Sequence, residues 1–256
     1  MVIRLKLIAS ALTALLLLTI VFASREQEAP SQKKLYVPTG KEASIAGTVT
    51  LLGELPKPST IDMSADPSCY TDNPHPKTEW YRGRAGGLAN VLVYVASDSL
   101  DSYLFSTPTS PVVLEHKRCR YETHVMGLQV GQPLNIVNSD ETIHSAHPTP
   151  RVNPEWNQTQ AMGAPPLVKT FGRAEVSIPF KCNQHPWERA YVSVFAHPFF
   201  AVTDMEGNFR IEGLPPGSYK VTAWHERLGE KHLDAVLAPG ESRYLSFAFS
   251  APKAKP

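Results

Sequence analysis

A cysteine and two histidines stand at the ends of strand-like segments, where their side chains can meet. Residues 174–179 alternate between apolar and polar side chains, as a β-strand does, and Cys182 and His185 follow three positions apart. His144 follows a second apolar strand, residues 133–137. One thiolate and two imidazoles are the ligands of a trigonal blue-copper site, and the soft thiolate selects copper over hard cations. The sequence therefore predicts one mononuclear copper site on these three residues.

The segment from about residue 112 to residue 196 resembles the cupredoxin family. The resemblance includes residues 131–134 entering a strand, residues 138–140 before the first histidine, and the Cys-x-x-His pair. The chain is most similar to exported bacterial cupredoxin-like proteins in which Cys-x-x-His-Pro-Trp continues into Ala-Tyr-Val and His-Pro. The resemblance implies a Greek-key β-sandwich that binds copper through His144, Cys182 and His185 and transfers single electrons.

Glu188 stands at one of the positions where the family is expected to have a methionine. That methionine follows the second histidine closely and is a weak axial ligand. A coordinating carboxylate would add negative charge, favour Cu(II) over Cu(I) and lower the reduction potential. In the alternative interpretation Glu188 points to solvent or pairs with Arg189, and the metal has three ligands.

Three further residues are candidates to hold the metal ligands in place without binding the metal themselves. Asn138 and Asp140 resemble family residues that brace the loop of the first histidine. His147 has three open roles: it replaces His144, supports it, or lines the surface. The other histidines considered have no matching ligand spacing, and they are His116, His124, His197, His225 and His232.

The N-terminal residues predict export. Arg4 and Lys6 precede an apolar run, residues 7–23, which ends in a small-residue pattern typical of a cleavage site. Residues 1–23 are therefore predicted to be a signal peptide, or a retained membrane anchor, since the run is nearly long enough to span a bilayer. We expect the rest of the chain in the periplasm or at the cell surface, with no membrane contact except through this segment.

Export affects the interpretation of the three cysteines. In an oxidising compartment two of them are expected to pair, and the third is left over. If a metal holds Cys182, the natural disulfide is Cys69–Cys119. The alternative is a buried, free Cys182 with no metal.

The composition favours an all-β protein of one or two domains. The 256 residues include 23 prolines and 15 glycines, and few stretches look like long helices. The net charge of +1 gives no indication of a nucleic-acid partner. The sequence has no Ser-His-Asp elbow, phosphate-binding loop or strong glycosidase-type carboxylate pair, so we do not expect an enzyme.

The C-terminal part resembles a second sandwich family. Residues 200–211 carry turn-forming residues between two strands and predict a hairpin, and residues 214–217 form a second turn. The pattern is similar to carboxypeptidase regulatory-like, transthyretin-type modules. The first two strands of those modules match residues 45–49 and 88–95.

These resemblances predict a split domain. Residues 43–97 and 199–250 would form the regulatory-like sandwich, interrupted by a cupredoxin-like domain at 98–198 and preceded by a linker at 24–42. Insertion at a loop is tolerated because the ends of an inserted domain often lie close together. In the rival layout the two sandwiches are sequential and packed side by side, and residues 43–97 belong to the cupredoxin sheet.

Three functions fit the sequence. The first is an exported copper protein that transfers single electrons to or from a redox partner protein. The second is a non-redox adhesion or scaffold protein with a degenerate copper site. The third is copper storage or delivery, which would favour an exposed and exchangeable site.

Overall fold

Strands make up most of the regular structure, as the composition predicts. The computed structural model describes residues 33–96 and 100–252, so the predicted signal peptide or anchor at 1–23 lies outside the described residues. In chain order the elements are β1 (Lys34–Leu35), β2 (Ala43–Leu52), α1 (Pro67–Asp72), β3 (Leu92–Val95), β4 (Tyr103–Leu104), β5 (Val112–His116), β6 (Val125–Gln129), β7 (Leu134–Asn138), β8 (His144–Pro148), β9 (Gln158–Gln160), β10 (Leu167–Lys169), β11 (Glu175–Lys181), β12 (Arg189–Phe195), β13 (Phe200–Val202), β14 (Asn208–Leu214), β15 (Gly217–His225), β16 (Gly229–Leu237) and β17 (Ser242–Ser250). Within those two ranges, no helix has the length and apolar character needed to cross a membrane.

One pair of sheets joins strands from both ends of the chain. The first sheet has the order β13-β3-β15-β16 and the second has the order β14-β2-β17. Alternate residues of β2 are buried, and Ile45 and Val49 pack with Val93, Val221 and Phe249 in one apolar core. Strands from before and after residues 98–198 therefore share both sheets. The domain boundaries themselves stay a prediction.

The predicted hairpin at residues 200–211 is wrong. The turn forms, and Asp204 accepts hydrogen bonds from the backbone N–H groups of Glu206 and Asn208 at 3.0 and 2.8 Å. However, β13 pairs with β3 and β14 pairs with β2, so the turn carries the chain from one sheet to the other. Gly207 is required there because its φ is +79° and a Cβ would lie 2.1 Å from the Val49 carbonyl oxygen.

The second pair of sheets lies between these strands in sequence. One sheet has the order β6-β12-β11-β8-β9 and the other has the order β10-β7-β5. Their shared core includes Leu114, Leu134, Ile136, Phe180 and Val192, all fully buried. The ends of β5 and β11, the start of β8 and the loop from β11 to β12 carry the residues of the site described below.

A proline-rich stretch between β2 and β3 is fastened to this second sandwich. Asp66 caps α1 by accepting hydrogen bonds from the N–H groups of Ser68 and Cys69. Cys69 forms a disulfide with Cys119, with a Cα–Cα distance of 5.4 Å. The predicted Cys69–Cys119 pairing is confirmed. Cys182 is buried and has no disulfide partner.

The buried His225 is expected to make stability depend on pH. It is 2% exposed, and its Nδ1 accepts a hydrogen bond from the Arg227 N–H at 3.2 Å, which requires a neutral ring nitrogen. Burial lowers the pKa of His225 from 6.5 to about 4. Because the unfolded chain takes up this proton first, stability present above pH 6.5 is lost as the pH falls towards 4.

The test compares the unfolding free energies of the native chain and His225→Gln, which cannot titrate. Between pH 7.5 and pH 4 the native chain should lose about 3 kcal/mol more than the variant, from the size of that pKa shift. Denaturant unfolding measures both curves. Parallel curves over this range would contradict the assignment.

Candidate metal centre

Four buried side chains bring their donor atoms to one point. His144, Cys182, His185 and Glu188 each offer one donor atom, and these atoms lie within 4.8 Å of one another. The Nδ1 atoms of the two histidines are 3.0 Å apart, and Cys182 Sγ lies 3.8 and 3.7 Å from them. The four residues are at most 3% exposed. The structure therefore brings together the three residues that the sequence selects as copper ligands, with Glu188 beside them.

Pairing between β8 and β11 places His144 next to Cys182. These strands are antiparallel neighbours, and His144 is the first residue of β8 while Cys182 directly follows β11. Ser145 locks the two ends together. Its backbone N–H donates to Cys182 Sγ at 3.3 Å, and its hydroxyl oxygen accepts from the Asn183 N–H at 2.7 Å. The thiolate is thus held by the backbone on the side of the first histidine.

Each of the two imidazoles is oriented by a carboxylate. His144 Nε2 lies 3.0 Å from Asp140 Oδ2, and His185 Nε2 lies 3.0 Å from Asp66 Oδ2. A carboxylate accepts, so each Nε2–H donates and each Nδ1 is left to face the other donors. This arrangement fixes the tautomer and the ring orientation of histidines that bind metals.

The disulfide links the segments that hold these two carboxylates. Asp140 accepts hydrogen bonds from the N–H groups of Arg118 and Cys119, at 2.5 and 2.8 Å. Asp66 accepts one from the Cys69 N–H at 3.3 Å. Since Cys69 and Cys119 are bonded, the supports of both imidazoles belong to one cross-linked unit.

The predicted supporting residues fall into two groups. Asp140 contacts His144 directly, and Asn138 accepts a hydrogen bond from the Asp140 N–H at 3.0 Å, so both brace the histidine loop. The structure does not bring His147 to the cluster. Its two ring nitrogens lie 2.9 Å from Asn183 Oδ1 and 2.8 Å from Glu155 Oε1, at the surface of the sandwich. Of its three open roles, this contact set fits surface lining.

Glu188 points into the cluster rather than to solvent. Its side chain is buried, and Oε2 lies 2.8 Å from His116 Nδ1. Oε1 lies 3.0 Å from His144 Nδ1 and 3.8 Å from His185 Nδ1. No described group makes a well-aligned hydrogen bond to Oε1. These contacts exclude the alternative in which Glu188 faces solvent or pairs with Arg189.

Two residues of this site are not predicted from the sequence. His116 has no ligand spacing, but it ends β5, which pairs in parallel with β7 so that His116 lies opposite Asn138. The sequence signal that could have identified His116 is its position at the end of an alternating strand, beside the loop that leads to His144. Asp66 is followed by Pro67, which is typical of a helix start. Its contact with His185 depends on the folded disulfide segment, and no local pattern shows it.

Without metal, the His144 imidazole is held in its protonated form between anionic groups. Burial alone would lower the pKa of His144, but Asp140, Cys182 and Glu188 raise it to about 11. Burial raises the pKa of the Cys182 thiol, but hydrogen bonds with both imidazoles lower it to about 6. Burial also raises the pKa of Glu188, but His116 and His144 lower it. The thiolate and the carboxylate are therefore ionised at neutral pH, and a metal would displace an imidazole proton.

The donor atoms fit a shared metal ion. Donors bonded to one ion at about 2.0–2.3 Å lie roughly 3–4 Å apart, which agrees with the 3.0 Å and 3.7–3.8 Å separations here. Glu188 Oε1 is buried and makes no well-aligned hydrogen bond in the described part of the chain, although it lies 3.0 Å from His144 Nδ1 and 3.8 Å from His185 Nδ1. A cation held by these donors would give this oxygen a direct partner.

Asp140→Ala is expected to weaken copper binding roughly 10–100-fold, the usual cost of losing an outer hydrogen bond to a metal-bound histidine. The variant frees the His144 ring to rotate and removes its tautomer preference. Glu141→Ala is the matched control, because this neighbouring acid is exposed. Competition with a chromophoric Cu(I) chelator measures both affinities. Equal affinities in the two variants would contradict the orienting role of Asp140.

Comparisons with known proteins give copper proteins as structural neighbours. No family model matches the chain, and no curated protein matches it significantly. Copper-containing nitrite reductase (NirK) from Thermus scotoductus SA-01 is 18% identical with a TM-score of 0.31, and the match covers 34% of this chain and 22% of that one. Amicyanin from Paracoccus versutus is 20% identical with a TM-score of 0.30, covering 40% of this chain and 96% of that one. An amicyanin mutant with Cu(I) is 21% identical with a TM-score of 0.30, covering 40% and 97%.

These neighbours are cupredoxins, and they match less than half of this chain. The chain spans about a fifth of the nitrite reductase. The resemblance of residues 43–97 and 199–250 to carboxypeptidase regulatory-like modules stays a prediction.

Proposed function

We propose that this protein binds one copper ion through His144, Cys182 and His185 and transfers single electrons. The observation that carries the proposal is the convergence of a thiolate and two imidazole Nδ1 atoms, within 3.8 Å of one another. Such a soft and borderline donor set suits copper, and its trigonal form is that of electron-transfer sites. When bound, copper supplies a one-electron couple.

The rigidity of the site favours electron transfer over storage or delivery. Carboxylates fix both imidazoles, and Ser145 and the strand pairing fix the thiolate. Ligands that are held in place rearrange little when the charge on the metal changes. A storage or delivery site needs exchangeable ligands, whereas these ligand residues are at most 3% exposed.

The completeness of the donor set favours a working site over a scaffold with a degenerate one. A sandwich that had lost its metal would have no need to keep a buried thiol, two oriented imidazoles and a buried carboxylate together. Burying a carboxylate is costly unless charge or hydrogen bonds compensate it. We infer that Glu188 Oε1 is the fourth ligand, because it lies beside both Nδ1 atoms and lacks another partner.

We further propose that the protein is exported and that any membrane anchor is formed by residues 1–23. The split sandwich at 43–97 and 199–250 carries the copper domain at 98–198. A redox partner protein approaches above Cys182, where a shallow surface depression of about 250 Å³ is lined by Lys181, Asn183, Pro186 and Arg189.

Voltammetry of the copper-loaded protein tests the electron-transfer role. We expect a reversible one-electron wave with a small separation between its peaks. The matched control is His147→Ala, whose ring contacts only Asn183 and Glu155 among the hydrogen bonds described above. That variant should keep the same wave. Stoichiometric copper without any reversible wave would overturn electron transfer and leave a binding role.

A further inference from the structure

His116 is a buried histidine behind Glu188 that no ligand pattern predicts. It ends β5 and is fully buried. Its ring packs 4.5 Å from the ring of His144 at 14° between planes, and 4.4 Å from the ring of Tyr121. These contacts leave the imidazole little freedom to turn. Its Nδ1 is therefore presented to Glu188 in a fixed direction.

The contact between His116 and Glu188 gives the two carboxylate oxygens different partners. Oε2 lies 2.8 Å from His116 Nδ1, and since a carboxylate accepts, the Nδ1–H donates. Oε1 is the oxygen that faces the Nδ1 atoms of His144 and His185. His116 Nε2 has no hydrogen-bond partner among the residues that the structure describes. Glu188 is thus the group through which His116 acts.

We propose that His116 is a positioning residue that makes Glu188 a one-oxygen ligand and thereby raises the reduction potential of the copper. The inference rests on the proposed copper site. A hydrogen bond to Oε2 keeps that oxygen away from the metal and draws negative charge from the carboxylate. Both effects weaken the donation of Oε1 to copper.

The direction of the effect follows from charge. An unrestrained carboxylate can offer two oxygens and its full negative charge, and both stabilise Cu(II) more than Cu(I). The donor hydrogen bond from His116 opposes this preference. The hydrogen bond from His116 therefore limits how strongly the hard Glu188 ligand, beside the soft thiolate, favours Cu(II) over Cu(I).

Two substitutions at His116 separate the donor from the ring. His116→Phe keeps a planar ring and removes the donor, and His116→Asn places an amide N–H near the position of Nδ1. We expect His116→Phe to raise the ratio of Cu(II) to Cu(I) affinity about tenfold, which lowers the potential by about 59 mV. His116→Asn should return the potential towards that of the native protein. Electron paramagnetic resonance of Cu(II) should place His116→Phe furthest from the native protein, with His116→Asn between them.

A double-mutant cycle with Glu188→Met shows whether the effect passes through the Glu188 carboxylate. In that background, which has neither the carboxylate charge nor an acceptor for the His116 N–H, His116→Phe should leave the potential unchanged. Near-ultraviolet circular dichroism confirms that each variant is folded. Equal shifts in both backgrounds, no shift in either, or no rescue by His116→Asn would overturn the proposal. A native protein with no copper signal would instead overturn the proposed function.

Discussion

Cys182→Ser is expected to abolish the thiolate-to-copper absorption and most of the copper affinity. Serine is close in shape, but its hydroxyl is a hard donor that stays protonated at neutral pH. The native thiol has a pKa of about 6, because hydrogen bonds with His144 and His185 outweigh the effect of burial. The variant therefore loses both the soft ligand and the anionic charge beside two imidazoles.

The expected loss of Cu(I) affinity in Cys182→Ser exceeds the roughly 10–100-fold typical of losing an outer hydrogen bond to a ligand. Chelator competition measures the loss of affinity, and visible absorption measures the loss of the thiolate-to-copper band. His147→Ala is the control, because it removes a histidine on the same strand as His144 whose ring nitrogens face Asn183 and Glu155. Retention of the visible band in Cys182→Ser would show that another group carries the copper.

Glu188→Met is expected to raise the reduction potential and strengthen the blue band. A thioether is a long and weak axial ligand, so the copper–thiolate bond becomes dominant. Loss of the carboxylate removes charge that stabilises Cu(II) more than Cu(I). Each 1.4 kcal/mol of differential stabilisation is about 60 mV for a one-electron couple, so a modest effect is measurable.

Glu188→Gln separates the charge of this residue from its shape. Its amide oxygen can still accept from His116, whereas methionine leaves the buried His116 Nδ1–H without a partner, at a cost of about 1–3 kcal/mol in stability. Both variants should raise the potential, and Glu188→Met should be the less stable of the two. The surface variant Glu155→Gln should change neither property. An unchanged potential and spectrum in Glu188→Met would show that Glu188 does not coordinate.

The sequence was sufficient where chemistry follows from local spacing. Cys182, His185 and Glu188 lie in one loop, and His144 begins a strand, so strand ends and residue types indicated a shared site. The Cys69–Cys119 disulfide followed from the count of three cysteines, once Cys182 was assigned as a metal ligand. The proximity of Glu188 to His185 is the local spacing seen in three dimensions, whereas its proximity to His144 depends on the pairing of β8 with β11.

Contacts made by tertiary pairing could not be predicted in this way. His116 reaches Glu188 because β5 lies parallel to β7, which is a choice of sheet order. Asp66 reaches His185 because a disulfide fastens a distant segment, 119 positions away in sequence, over the site. The turn residues at 204–208 predicted a turn correctly, but turn chemistry does not reveal which sheet each flanking strand joins.

X-ray absorption at the copper edge identifies the atoms bonded to the metal. The protein is loaded with one equivalent of copper and its nearest neighbours are counted. We expect one sulfur and two imidazole nitrogens among these neighbours, with the sulfur absent in Cys182→Ser. Tightly held copper with only nitrogen and oxygen neighbours in the native protein would contradict the assignment of Cys182, His144 and His185 as its ligands.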